Sequence, residues 1–489
     1  RRLGAKDIEI GLGATVWAAL ILLGMGVARA DVAISTRPTQ NMTCSGGVCT
    51  PTAKKAVLNV NDLATMLASG DATVQSGSLA KDIEIGAALS WTSTHRLTLD
   101  SYHSITFNKP VVVAGNGAMT ITTGNGGDFR FVGKGHVELW DLGSSLIING
   151  DSYRLEDKLS RLARDVHHGP SGKYALAKSI NVKNRLYFEA PIPGLTGTLE
   201  GLGNRISNLT ISADANRADI GLIGSLVLVG STVRDIELTN VFVAGSGLGQ
   251  SVGTLVGLNE GTIANCHATG SVTASNASPT GGLVGFNLAS TIRNSFANVA
   301  VSTTGNGAVG GLVGQTEGFH GDSGRVEESY ATGSVSGGDG ATVGGLVGES
   351  LGGVISDSYA MGSATGGANA FVGGLVGTNI DNGDGQSPAV IDTSYSTGMV
   401  SGGSAAMVGG LIGQDAADSQ IADTYWDMNT SGISDPHQGA GNIADDPGIT
   451  GLTTEQFKSG LPAGFSPAIW KEKANINNGY PYLMDLPPG

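Results

Sequence analysis

"AVGGLVGQ" at Ala308–Gln315 returns as "TVGGLVGE" at Thr342–Glu349, "FVGGLVGT" at Phe371–Thr378 and "MVGGLIGQ" at Met407–Gln414. Its core, L-V/I-G, closes at Gly224, Gly257, Gly285, Gly314, Gly348, Gly377 and Gly413, in steps of 33, 28, 29, 34, 29 and 36 residues. Self-similarity at such a period marks a solenoid, because a unit that cannot bury its own apolar side must stack on the next. The uneven steps place loops of variable length between equivalent strands.

A second phrase keeps pace: "TIANCHATGSV", "TIRNSFANVAV", "RVEESYATGSV", "VISDSYAMGSA", "VIDTSYSTGMV" and "QIADTYWDMNT". Alignment gives an aliphatic column (Ile263, Ile292, Val326, Ile355, Ile391, Ile421) and, three residues on, a small one (Cys266, Ser295, Ser329, Ser358, Ser394, Thr424). The next column reads His267, Phe296, Tyr330, Tyr359, Tyr395, Tyr425. Each unit thus offers about three short strands, and coils stacked at about 4.8 Å would lay like residues over like. The glycine phrase marks a place where each coil brings its backbone close to its neighbours or takes positive φ, both of which a Cβ obstructs. Leu312 and Val313, as neighbours in a strand, are expected to face opposite ways, one inward and one outward.

The ring column aligns with Glu237 one coil earlier, which puts it on the outside. Phe296, Tyr330, Tyr359, Tyr395 and Tyr425 are therefore a candidate ligand-binding stripe, suited to stacking on sugar rings. The alternative is a ladder that only steadies neighbouring coils, like rings in a sheet contributing about 0.2–1 kcal/mol per pair.

Composition agrees with a repeat rod. Glycine supplies 78 of 489 residues while aromatics are 5% and charged residues 14%, so close contact between small residues must replace large buried anchors. A net charge of −14 argues against nucleic acid as a partner, since no basic stripe is present to meet a polyphosphate, and leaves cations or basic partners open.

Arg1, Arg2 and Lys6 precede an apolar run to Val27 that ends in Ala28-Arg29-Ala30, the order of a secretory signal peptide with cleavage before Asp31. The run is short for a membrane span, which needs about twenty residues, although an uncleaved anchor helix is the alternative. No series of amphipathic barrel strands follows, so export without a stable membrane anchor is the expectation. Cys44 and Cys49 in "CSGGVC" can close a small disulfide loop, which suits an exported chain, with two free thiols as the alternative. Cys266, inside a repeat, reads as a small buried side chain.

The resulting division is a signal peptide (1–30), a polar, proline-broken linker or cap (31–56), an N-terminal β-solenoid region (57–150), a helix-containing connection (151–193), the repeats (194–430) and a C-terminal cap or tail (431–489). Dense glycine-asparagine turns between short β-prone runs carry the region 57–150. The one helix expected, near 153–168, rests on Leu155, Leu159, Leu162 and Val166 at three- and four-residue intervals before Gly169-Pro170, with His167 and His168 at its end.

Catalytic signatures are missing: there is no H-E-x-x-H, no G-x-S-x-G and no G-x-x-x-x-G-K-[ST]. Asp415, Asp418, Asp423, Asp427, Asp445 and Asp446 lack a nearby Arg or Lys of the kind a polysaccharide lyase or hydrolase wants, and read as surface turns. "DNGDGQ" (Asp381–Gln386) faintly resembles a calcium loop but lacks its closing bidentate acid, so the expectation is no cofactor, with calcium as the alternative.

The "GGLVG…SYATGSV" units resemble GLUG repeats, and "GLTGTLEGLGNRISNLTI" (Gly194–Ile211) is similar to the lead-in that precedes them. Leu63–Gly150 resembles repeats of the same adhesin-like group, and "TYWDMNTSG" through "GLTTEQF" to "WKEKANINNGYPYL" resembles the usual terminus of a GLUG array. Such units occur in filamentous-haemagglutinin-like adhesins, autotransporter passengers and non-catalytic regions of IgA-protease-type metallopeptidases. The resemblance implies an all-β, right-handed parallel β-helix in a secreted or cell-surface bacterial protein that binds host or neighbouring-cell glycans or proteins without catalysis. A purely structural stalk is the alternative, and a β-helix polysaccharide lyase or hydrolase a further one. Neither a two-partner secretion signature nor a translocator barrel is seen, so the export route stays open, with an outer-membrane transporter as a candidate partner.

Overall fold

The computed structural model describes residues 31–488 except 215–217, 276–277, 384–386 and 417–418. The expected signal peptide, Asp418 and part of the calcium-like loop lie outside the described residues.

The chain forms a parallel β-helix in two stretches. In the first, alternation inside short strands sets the core: in Arg96–Asp100 ("RLTLD"), Leu97 and Leu99 are buried between half-buried polar neighbours. Ala72, Leu97, Met119 and Leu146 are successive rungs of one parallel face, and Ile83, Ile105 and Phe129 of another. Residues 31–56 are not a linker. Asp31–Ser35 lies inside a sheet, paired in parallel with Lys55–Asn59 on one side and Asp82–Ile85 on the other. Its Val32, Ala33 and Ile34 are all buried, a short apolar strand that the polar, proline-containing residues after it disguise. Cys44 and Cys49 are bonded across the hairpin of Met42–Ser45 and Val48–Pro51.

Two helices differ from expectation. Helix α1 (Val60–Ser69) was not anticipated. Asn59 caps it by accepting from the Asn61 amide, and it buries Val60, Leu63 and Leu67 against the first coils. The helix expected near 153–168 covers only its second half, as helix α2 (Leu159–His168). Asp151–Glu156 is instead a strand, antiparallel to Ser145–Ile148 and parallel to Lys173–Leu176. That reversal joins the two stretches, so one 16-stranded sheet runs through both. Val137 and Leu139 of the first stretch also donate their amides to the Leu202 and Ala177 carbonyls of the second, at 2.9 and 2.8 Å.

In the second stretch each glycine phrase straddles a corner. Ala308–Gly310 and Val313–Glu317 belong to different sheets. Leu312 lies in the bend between them, so Leu312 and Val313 are both fully buried and the expected outward column does not exist. The glycines serve close approach, not positive φ: a Cβ on Gly310 would stand 1.9 Å from the Val313 carbonyl oxygen, and one on Gly311 2.1 Å from that of Gly345. With side chains absent, the Leu312 carbonyl accepts from both Leu283 and Val284, at 2.9 and 3.1 Å, and Leu346 and Leu375 repeat this. Val256, Val284, Val313, Val347, Val376 and Ile412 then stack in register as one core column.

Candidate functional site

The second phrase turns a different corner. Asn265, Asn294, Glu328, Asp357, Thr393 and Asp423 take φ between 42° and 54°, a left-handed step in each coil. The small residue that follows points inward and is fully buried. Ser295, Ser329, Ser358 and Ser394 each accept from the amide of the small residue in the preceding coil, at 3.1–3.2 Å. Each also donates to the carbonyl two residues before it, at 2.7–2.8 Å. Cys266 heads this column as a buried free thiol, its pKa pushed up by burial.

The next residue points outward, and register makes a ladder of rings. His267 and Phe296 stack at 4.2 Å, Phe296 and Tyr330 at 4.8 Å, Tyr330 and Tyr359 at 4.7 Å, and Tyr359 and Tyr395 at 5.0 Å. Tyr425 turns instead onto Phe465, edge-on at 5.8 Å.

The tyrosines are not an open stripe. Tyr330, Tyr359, Tyr395 and Tyr425 are 2%, 0%, 0% and 7% exposed because residues 453–487 fold back along the outside and cover them. This strap presses Phe457, Phe465, Trp470 and Tyr480 onto the ladder. Its polar fixings are equally local: Tyr395 donates to the Pro481 carbonyl at 2.5 Å, Tyr425 to that of Ala463 at 3.0 Å, and the Trp470 indole to Asp357 at 2.9 Å. Asp427, fully buried, accepts from Thr454 and Tyr480 at 2.6 and 2.7 Å. Burial raises the pKa of all four tyrosines of the ladder. Sequence reasoning missed the strap's rings, whose only signal was a concentration of aromatics in a chain poor in them.

The surface-turn reading of the aspartates is corrected at three positions. Asp427 anchors the strap, and Asp415 and Asp446 are buried side by side, with Asp446 pushed up to about 7 by burial and by Asp415. Among the described residues no group of three His, Cys, Asp or Glu could hold a metal ion.

The upper end of the ladder is different. His267 and Phe296 stay partly exposed and line a cleft of about 420 Å³ where the first stretch, the second stretch and the strap's end meet. Phe129 and Phe131 form its far wall and Asp485, Leu486 and Pro487 its rim, with Asp485 ion-paired to Arg130. Beneath it Arg234 joins the two stretches, contacting Asp235 at 2.6 Å, Asp128 at 3.0 Å and Glu200 at 3.4 Å and lying 4.3 Å from the Phe129 ring centre. A second cluster sits under helix α2, where Arg154 reaches Asp165 at 2.5 Å and Glu156 at 3.4 Å. Burial first, then Asp165, raises Glu156 to about 8. Neither cluster was evident in the sequence, since its members come from different coils.

The GLUG motif family matches residues 249–273 and 305–336, and the chain carries GLUG repeats. Halomucin of Haloquadratum walsbyi is 30% identical over 249 residues, which are 50% of this chain and 2% of that protein, so the chain spans a small fraction of the relative's length. A candidate immunoglobulin A1 protease from Bacteroides ovatus aligns at 16% identity and a TM-score of 0.40, over 68% of this chain and 93% of its own. A structure described as an IgA1 protease aligns at 22% identity and a TM-score of 0.40, over 58% of this chain and 23% of its own. No helix among the described residues is long and apolar enough to cross a membrane.

Proposed function

We propose that this chain is an exported, non-catalytic, adhesin-like rod, secreted or held at the cell surface, that binds glycans or proteins of a host or neighbouring cell and needs no cofactor. The observation that carries the reading is the unbroken sheet of 16 strands, which makes a long rigid body with repeated faces rather than a pocket built around reactive groups. The GLUG repeats and the similarity to Halomucin support it. An outer-membrane transporter would be its partner in export.

The stalk reading gains one specific observation, the covering of the tyrosines, which makes that ladder internal cement. An array of glycans and matrix proteins probed with residues 31–489 separates the two. Saturable binding to a defined subset is expected of an adhesin. A folded protein that binds none of them is a spacer.

A further inference from the structure

We infer that the groove at the joint between the two stretches is a saccharide-binding site, in which a pyranose ring packs where the aromatic ladder ends at Phe296 and His267. This deepens the adhesin reading and rests on it.

The ladder stops abruptly. His267 has Phe296 on one face, and among the described residues no ring stacks on the other. Its register partner one coil earlier is Glu237, whose carboxylate lies 3.5 Å from Arg205, and His267 and Glu237 both line the cleft. A second cleft of about 220 Å³ adjoins the first and shares Arg130, Val132, Asp485 and Pro487 with it, so the groove continues beyond a single ring. Their sizes suit a small oligomer, drug-sized pockets running from about 300 Å³ upward.

The polar groups define the ligand class. His267 Nε2 and Asn294 Oδ1 are buried without a hydrogen-bond partner, and both residues line the cleft. Unsatisfied polar atoms of this kind are uncommon in folded proteins. Asp128, Glu237 and the exposed Arg293 stand around them. A flat apolar face ringed by carboxylate, amide and guanidinium groups fits a sugar, which offers an apolar C–H face and a rim of hydroxyls. Carboxylates outnumber guanidinium groups along the walls, which disfavours a phosphate ligand. Burial holds the His267 imidazole neutral, with a pKa of about 4, so its face carries no charge to be solvated.

The test titrates residues 31–489 with neutral tetrasaccharides of β-1,4-glucose, β-1,3-glucose and β-1,4-N-acetylglucosamine by calorimetry. At least one should bind saturably, and Glu237→Ala and His267→Ala should each weaken it tenfold or more while near-UV circular dichroism is kept. Trp140→Ala, which removes an aromatic exposed elsewhere, should leave it unchanged. If His267→Ala disturbs the fold, Glu237→Ala decides alone. Array binding that survives Glu237→Ala overturns the groove while leaving the adhesin reading intact, as does loss of binding in Trp140→Ala alone. Absence of any glycan or protein binding overturns both.

Discussion

The two stretches of the β-helix obey the same stacking rule with opposite choices of side chain. The first fills its coils with large, unlike residues such as Trp91, Phe107, Met119 and Phe129. The second is filled mainly by columns of Val, Leu and Ile, with Tyr174 near its start and Trp426 at its far end, and it carries a ladder of rings on its outside. Glycine serves close approach in both, a built Cβ standing 1.8 Å from a carbonyl oxygen at Gly135 and 2.1 Å at Gly311, but only the second stretch repeats it in a fixed phrase. Gly126 of the first stretch sits in a turn at φ +77° with nothing within 4 Å of a built Cβ, whereas Gly311 of the second lies under the carbonyl of the next coil. A coil filled by large side chains can adjust to its neighbour by changing a rotamer. A coil closed by backbone against backbone cannot, so its spelling must repeat.

The largest effect should therefore come from Gly311→Val. Its Cβ has no space without opening the ladder between adjacent coils, and a loss of more than about 4 kcal/mol is expected, the exceptional end for one substitution. Gly126→Ala should cost about 1 kcal/mol, for the left-handed backbone alone. Equal midpoints for the two variants in a urea titration would erase the contrast. Trp470→Ala should come next, at about 3–5 kcal/mol, and should act on the repeats alone. Hydrogen exchange is expected to accelerate at Tyr359 and Tyr395 and to stay unchanged at Leu97 and Met119.

Ser358→Ala should cost about 1–2 kcal/mol, because the Ser329 amide loses its buried acceptor. Ser358→Cys should cost less, given that Cys266 occupies the same column. Glu156→Gln probes the joint itself. Glu156 has a folded pKa of about 8, above its ordinary 4.5, so the folded state holds a proton that the unfolded state releases between those values. Stability from this group is complete below about pH 4.5 and falls as pH rises to 8. The Gln variant should match the parent at pH 4.5 and exceed it by about 1 kcal/mol at pH 8, the full shift being discounted for the exposed Arg154 beside it. Thermal melts at the two pH values would show it.

The second stretch was the more legible one because its constraints are repeated. The aliphatic, small and ring columns could be aligned by eye, and each proved to be a spatial column. What failed was geometry within a unit. Leu312 and Val313 read as neighbours in one strand because nothing in "GGLVG" announces a bend, and only the backbone contacts at Gly310 and Gly311 reveal it. Helix α1 was missed since Leu63 and Leu67 give too few apolar positions to stand out among strands. The strap was missed for a different reason. Phe457, Phe465, Trp470 and Tyr480 have no period, and what they cover lies many coils away in sequence. The stripe was correctly placed on the outside of the coil, yet its accessibility depended on a segment that local patterning cannot position.

The strap runs back to Arg130, at the waist of the rod, where Asp485 pairs with it. A pull on the strap there would lift Leu486, then Tyr480, then Trp470 away in succession. Under such a load the cover would detach first, and the concealed tyrosines would become available only while the pull lasted.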